Sequence, residues 1–200
     1  GWLHRTGIQF HWHNQGFANF DAFLESLSSR KRKNIRKERA SVAASGVTLL
    51  PLTGEAITDV HVNDFYRFYM STIDRKWGGA YLTREVFSQL QETMADKMLL
   101  IMAKYNGHII GGALNFIGED TLFGRNWGAD INIPNLHFEA CYYQAIEFAI
   151  KHGLQRVEAG AQGIHKVQRG YLPVATHSAH FIANESFRAA VAHFLESEKR

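Results

Sequence analysis

The stretch EAGAQGIHKVQRGY, residues 158–171, sets Glu158, Gln162, His165, Lys166 and Arg169 among three glycines, just after an apolar strand pattern. A surface loop needs glycines, but it does not need five strongly polar groups. His165 is the nearby side chain that titrates close to neutrality, the property a general base needs at pH 7. Glu158 falls inside the apolar pattern, where an unpaired carboxylate is costly. It is therefore expected to pair with Lys166, Arg169 or Arg125, or to carry a raised pKa. Two explanations stay open: a base with acyl-orienting cations at a strand end, or a buried ion-pair network that only fixes the loop. Under the first, Glu158 and His165 are the candidate catalytic residues.

Two more segments are expected to face the same cleft. In FGRNWGA, Arg125 and Trp127 share a strand face by period two. In LHFEACYYQAIEFAIKHG, His137, Cys141 and Gln144 fall near one helical face, with Tyr143 at its margin, while Leu136, Tyr143, Ile146 and Ile150 trace the core side; plain amphipathic packing is the alternative for this helix. The candidate substrate-binding set is then Arg125, Trp127, Gln144, Gln162, Lys166 and Arg169. Cys141 sits between Ala140 and Tyr142 in an apolar helix, the setting of an inert buried thiol rather than a nucleophile. His11-x-His13 and His177-x-x-His180 are the close histidine pairs. No HExxH or cysteine cluster accompanies them, so no metal site is expected.

A third segment is the basic run SSRKRKNIRKER, residues 28–39. Its last ten residues hold seven of the 22 Lys/Arg and one of the 19 Asp/Glu. The rest of the chain is left with 15 Lys/Arg against 18 Asp/Glu, so the net charge of +3 is a local feature. A general nucleic-acid coat would spread its charge more widely. Arg32, Arg36 and Arg39 lie at i, i+4 and i+7, one stripe of a helix. They are the candidate phosphate-binding residues, for a donor or a lipid-linked acceptor; a solvated helix face is the plain alternative.

These segments need elements to hold them. Two hundred residues, 46% hydrophobic, suffice for a sizeable core. One cysteine rules out an intramolecular disulfide framework, and a reducing, cytoplasmic setting is expected, with the basic helix as a contact for the inner membrane surface. No apolar run approaches the length of a transmembrane segment. Residues 1–18 read as an N-terminal connector, the remnant of a longer chain, before a domain over 19–200. Spacing predicts a short helix at 19–27, a second from Ser28 or Ser29 to before Gly46, a strand at 47–52, and helices around Phe65–Ile73 and from Thr83 to about Met94. Asn106-Gly107 is a strong hairpin signal, and three antiparallel strands follow near 98–104, 108–116 and 121–128. A helix to about His152, strands at 157–161 and 176–182, and a last helix from about Glu185 complete the chain.

Helices, an antiparallel meander, then helix, strand, strand make an α+β domain with a central mixed, mostly antiparallel sheet, the element order of the GNAT acyltransferase fold. An acetyl-CoA enzyme of that fold carries an R/QxxGxG/A loop before the helix that follows the meander, where helix N–H groups hold the pyrophosphate. Here that position reads GADINIPNLHFE, without the glycine spacing.

FLESLSSRKRKNIRKERA, YLTREVF, LFGRNWG, LHFEACYYQAIEFAI and EAGAQGIHKVQRGYLP together resemble the FemAB-like group of GNAT-related proteins, over nearly all of residues 9–198. Those proteins are described as predicted N-acyltransferases linked to peptidoglycan biosynthesis or recognition. The GAQG-x-HK-x-x-RG block is the most specific part of the likeness. Relatives carry Glu after GAQG, whereas this chain has Ile164, which puts activity in question. The resemblance implies two GNAT-like halves, of which this chain is the C-terminal one and the N-terminal half-domain is missing. It also implies an activated acyl donor, aminoacyl-tRNA or acyl-CoA, an amine acceptor such as a lipid-linked cell-wall precursor, and no tightly bound cofactor. The rival expectation is a non-catalytic recognition module for a cell-wall precursor, RNA or an anionic membrane surface.

Overall fold

A computed structural model describes residues 1–75 and 79–198. A single seven-stranded sheet organises them: β1 (Leu3–His13), β2 (Thr48–Leu52), β3 (Met98–Tyr105), β4 (His108–Ile117), β5 (Thr121–Ala129), β6 (Arg156–Glu158) and β7 (Leu172–His180). Their spatial order is β2-β3-β4-β5-β6-β1-β7, and every pairing is antiparallel except β5 with β6. The α+β expectation holds. The β3–β4 hairpin turns where Asn106-Gly107 predicts, and both residues adopt positive φ, the two-residue turn whose twist matches the strands.

The first strand corrects the expectation of a connector over 1–18. Ile8, Phe10 and Trp12 alternate with Gln9, His11 and His13, and the segment inserts between β6 and β7 with Phe10, His11 and Trp12 buried. β7 begins at Leu172 rather than near 176, because its register is set by pairing along β1 from Leu3 to His11.

Helices cover the two faces of the sheet. β3 is apolar without a break from Met98 to Ala103 because that stretch is buried on both. Leu99 and Ile101 join Phe10, Trp12, Leu122 and Val157 in a core with α1 (Phe20–Glu25), α2 (Ser29–Ala44) and the helix over 136–151. Met98, Leu100 and Met102 join a second core with Phe65, Phe68 and Tyr69 of α3 (Asp59–Arg75) and Phe87 of α4 (Arg84–Met94). The helix over 136–151 is continuous but not uniform: α5 (Leu136–Phe138) passes into a π-helical turn (Glu139–Tyr143) and then α6 (Gln144–Lys151). A 3-10 turn (Ile164–Arg169) leads into β7, and α7 (Glu185–Glu198) ends the described chain. Among the described residues no helix is long and apolar enough to cross a membrane.

Candidate functional site

The sheet divides at its one parallel pair. β5 and β6 are matched at Thr121–Arg156, Leu122–Val157 and Phe123–Glu158, and no further. Beyond that point β5 runs on beside β4 to Ala129. The chain after β6 bends toward β1 instead, where the Ala159 N–H donates to Phe10 O (3.0 Å) and the Phe10 N–H to Gly160 O (3.1 Å). The gap is a cleft of about 940 Å³, walled by β5 (Arg125, Trp127), the loop after β6 (Gln162, His165, Lys166), the helix over 136–151 (His137, Cys141, Tyr142) and α3 (Tyr69, Thr72).

β5 is irregular at this wall. Leu114 faces Asn126 but Asn115 faces Gly124, so Arg125 is the extra residue of a β-bulge, left without a cross-strand partner. Behind the wall α3 packs at backbone distance: a Cβ on Gly128 would stand 2.2 Å from the Phe68 carbonyl oxygen, and Thr72 Oγ1 donates to Trp127 O (3.1 Å).

The loop supplies an imidazole and an ammonium. His165 is exposed to the cleft, its Nε2 3.1 Å from the Tyr142 hydroxyl. Burial, then the cations Arg169 and Lys166, hold its pKa below the usual value, so the ring is neutral near pH 7. Lys166 is buried and donates to the carbonyls of Ala159 and Gly160, and burial pushes its pKa down. Burial raises the pKa of the Cys141 thiol, consistent with an inert group.

The cleft thus brings together Arg125, Trp127, Gln162, His165 and Lys166. Other expected members stand elsewhere, each for a visible reason. Glu158 is not a cleft residue and meets none of the three cations expected for it. Its neighbours are His11 Nε2 and Arg156 Nε, both at 3.9 Å, because β6 alternation turns Val157 to the core and Arg156 and Glu158 to the other side. Arg169 is buried with a two-point contact to Glu38 of α2 (2.7 and 3.2 Å), donates to His165 O (2.8 Å) and lies 3.4 Å over the Phe138 ring. It clasps the 3-10 turn to α2 and is not among the residues that line the cleft. Gln144 was expected beside His137 and Cys141, but the wider π turn rotates the following residues. Its amide donates to Glu139 (2.9 Å) and Glu147 (3.0 Å).

The three arginines expected to bind phosphate, Arg32, Arg36 and Arg39, each meet carboxylates of this chain. Arg32 and Arg36 both meet Glu25, at 3.3 and 3.1 Å. Arg39 forks between Glu139 (3.0 and 3.1 Å) and Glu147 (2.9 and 3.0 Å), with its guanidinium 4.5 Å over the Phe20 ring. Burial lowers its pKa and the two carboxylates more than reverse that. Ile164 is 83% exposed and is not among the residues that line the cleft. Tyr142 was missed as a site residue. A uniform helix puts it off the His137–Cys141 face, and the π turn brings it to His165.

A family model named FemAB-like, described as peptidoglycan biosynthesis/recognition, matches residues 1–200. No curated protein matches the chain. Among solved structures, L-PGS from Bacillus licheniformis gives a TM-score of 0.61 at 12% identity, over 96% of this chain and 65% of that one. FemX gives 0.65 at 11% identity, over 91% and 63%. A GCN5-related glucosamine N-acetyltransferase region of a fungal multi-domain GH3 β-N-acetylglucosaminidase gives 0.54 at 10% identity, over 90% and 21%. The shared feature at such identities is the fold, and it is GNAT-like. The chain spans less than two thirds of the length of L-PGS and of FemX.

Proposed function

The chain belongs to the FemAB-like family, and from that premise we propose that its cleft transfers an acyl or aminoacyl group to an amine acceptor, a cell-wall precursor. The observation that carries this proposal is the split of the sheet at Phe123 and Glu158, which opens a cleft with a neutral imidazole on one wall and a bulge on the other.

In the step, the amine nitrogen attacks the acyl carbon of an ester or thioester donor. A C–N bond forms and the C–O or C–S bond breaks. The proton lost by the amine passes through His165 to the departing hydroxyl or thiol. This role requires the tautomer in which His165 Nε2–H donates to the Tyr142 oxygen and Nδ1 holds the free lone pair. The backbone N–H groups at the Arg125 bulge, where the regular β4–β5 register breaks, are the candidate oxyanion donors. Trp127 and Tyr142 supply aromatic walls, and Gln162 a polar contact. Glu158, outside the cleft, has no part in proton transfer. The sequence before α5 lacks the glycine spacing of a CoA loop, which favours an aminoacyl ester over a CoA thioester as donor.

The test offers purified protein aminoacyl-tRNA or CoA thioesters together with lipid-linked muropeptide and reads the acceptor by mass spectrometry. The acceptor should gain one acyl residue. The rate should fall as pH drops through a pKa below 6.5, because protonation of His165 removes the base. His165→Ala should lower turnover by about 10²–10⁴-fold with an unchanged melting midpoint. A variant that keeps full turnover and the same pH profile removes His165 from the step. Saturable muropeptide binding with no transfer from any donor supports the recognition module instead.

A further inference from the structure

The fold treats its enclosed cations unequally. Arg169 is matched by Glu38, and Arg39 by Glu139 and Glu147. Lys166 is 4% exposed and has no carboxylate within ion-pair distance among the described residues. Its ammonium rests on the carbonyls of Ala159 and Gly160, with the Phe10 ring centroid 5.6 Å away. Two carbonyls engage two of its three N–H donors. Lysine is seldom buried without a countercharge, because desolvation of the ion then goes uncompensated.

The cleft is where a charge that completes Lys166 can enter. Lys166 lines the cleft, and Arg125 on the facing wall is exposed and likewise without a carboxylate partner among the described residues. Among the described residues that line the cleft there is no Asp or Glu. Every fixed charge that these residues bring to its walls is positive, and low-dielectric walls concentrate that field.

We propose that the cleft is a binding site for an oxyanion, a carboxylate or phosphate group of one reactant, which serves as the counter-ion of Lys166 and is closed over by Arg125. The name "reactant" rests on the transfer activity proposed above; the site itself does not. The basic helix is not this site, since it lies on α2 and supplies no residue to the cleft.

The experiment titrates the whole chain with inorganic phosphate, with succinate and with neutral succinamide, reading tryptophan fluorescence (Trp127 lines the cleft) and the melting midpoint. Saturable binding of phosphate or succinate, and none of succinamide, is expected; which of the two binds names the source of the oxyanion. Arg125→Gln should weaken binding at least tenfold, the scale of a charge-assisted hydrogen bond, and Lys166→Met should abolish it while keeping the aliphatic stem. If Lys166→Met fails to fold, the exposed Arg125 variant carries the test alone. Absence of saturable binding, or wild-type affinity in Arg125→Gln, overturns the site. Loss of binding in Lys33→Gln/Lys37→Gln, which changes only the outer face of α2, overturns it too. Transfer is not read here, so the two proposals fail separately. An inert protein that binds oxyanions sinks only the transferase, and a transferase that does not discriminate neutral from anionic acceptors sinks only the oxyanion site.

Discussion

Arg39→Met removes the cation from the most heavily ionic contact between α2 and the helix over 136–151. Glu139 is left 4% exposed with the Gln144 amide as its remaining partner, while Glu147, whose side chain is 37% exposed, returns to water at little cost. Stranding a buried carboxylate in this way costs about 3–5 kcal/mol. The entropy of unfolding for a chain of this size is about 0.4 kcal/mol/K, so the melting midpoint should fall by about 7–12 °C. Calorimetric or circular-dichroism melts at fixed pH and salt read this directly. Arg39→Met/Glu139→Met should recover most of the loss, because replacing both members of a buried pair with apolar groups is often close to neutral. Arg32→Ala is the control: its partner Glu25 has a side chain 60% exposed, and a pair of that kind is worth less than about 1 kcal/mol. If Arg39→Met melts within about 2 °C of the parent, the buried network does not hold the helices together. Should it instead melt normally and lose affinity for polyanions, the stripe binds phosphate after all.

Glu158→Gln should shift the melting midpoint by no more than about 2–3 °C, since its partners stand at 3.9 Å and its side chain is 24% exposed. A fall of ten degrees would reveal the tight buried pair that the sequence suggests and the structure lacks. Gly128→Ala should destabilise by about 3 kcal/mol or more, because the new methyl meets the Phe68 carbonyl of α3 rather than a side chain that can turn aside. Urea unfolding of this variant with the parent's midpoint would show that α3 does not approach β5 so closely.

Elements whose signals are local were legible in the sequence. The β3–β4 turn is written in two adjacent residues, and the amphipathic spacing of α3 and α4 needs no distant partner to be read. β1 shows the limit. Its alternation is present in Ile8, Phe10 and Trp12, yet its partners begin at Arg156, more than 140 residues away, and nothing near it announces a sheet. The cleft divides along the same line. Arg125 and Trp127 line one wall, although the bulge at Arg125 interrupts the strand parity that groups them, and Gln162, His165 and Lys166 of the loop line another. Gln144 was misplaced because a π turn adds a residue to the turn, and helical spacing gives no sign of that.

The basic run has an inner role that periodicity does not show, and it bears on how the site is held. Periodicity groups Arg32, Arg36 and Arg39, but it is blind to carboxylates from other elements, and Arg39 meets Glu139 across 100 residues of chain. The same helix turns Glu38 to Arg169, which in turn donates to the carbonyl of His165. α2 is therefore tied by ions to both neighbours of the cleft: through Arg39 to the helix that bears Tyr142, and through Glu38 to the turn that bears His165. Those two residues meet at 3.1 Å. A charged helix that looks from its sequence like a ligand surface is, on its inner side, the brace that fixes the distance between hydroxyl and imidazole. Arg30, Lys31, Lys33 and Lys37 are without carboxylate partners among the described residues, and Arg30, Lys33 and Lys37 point away from Ile35. The helix thus separates its charges by direction: Arg39 and Glu38 hold the two neighbours of the cleft, and Arg30, Lys33 and Lys37, toward solvent, carry much of the local positive charge of the chain.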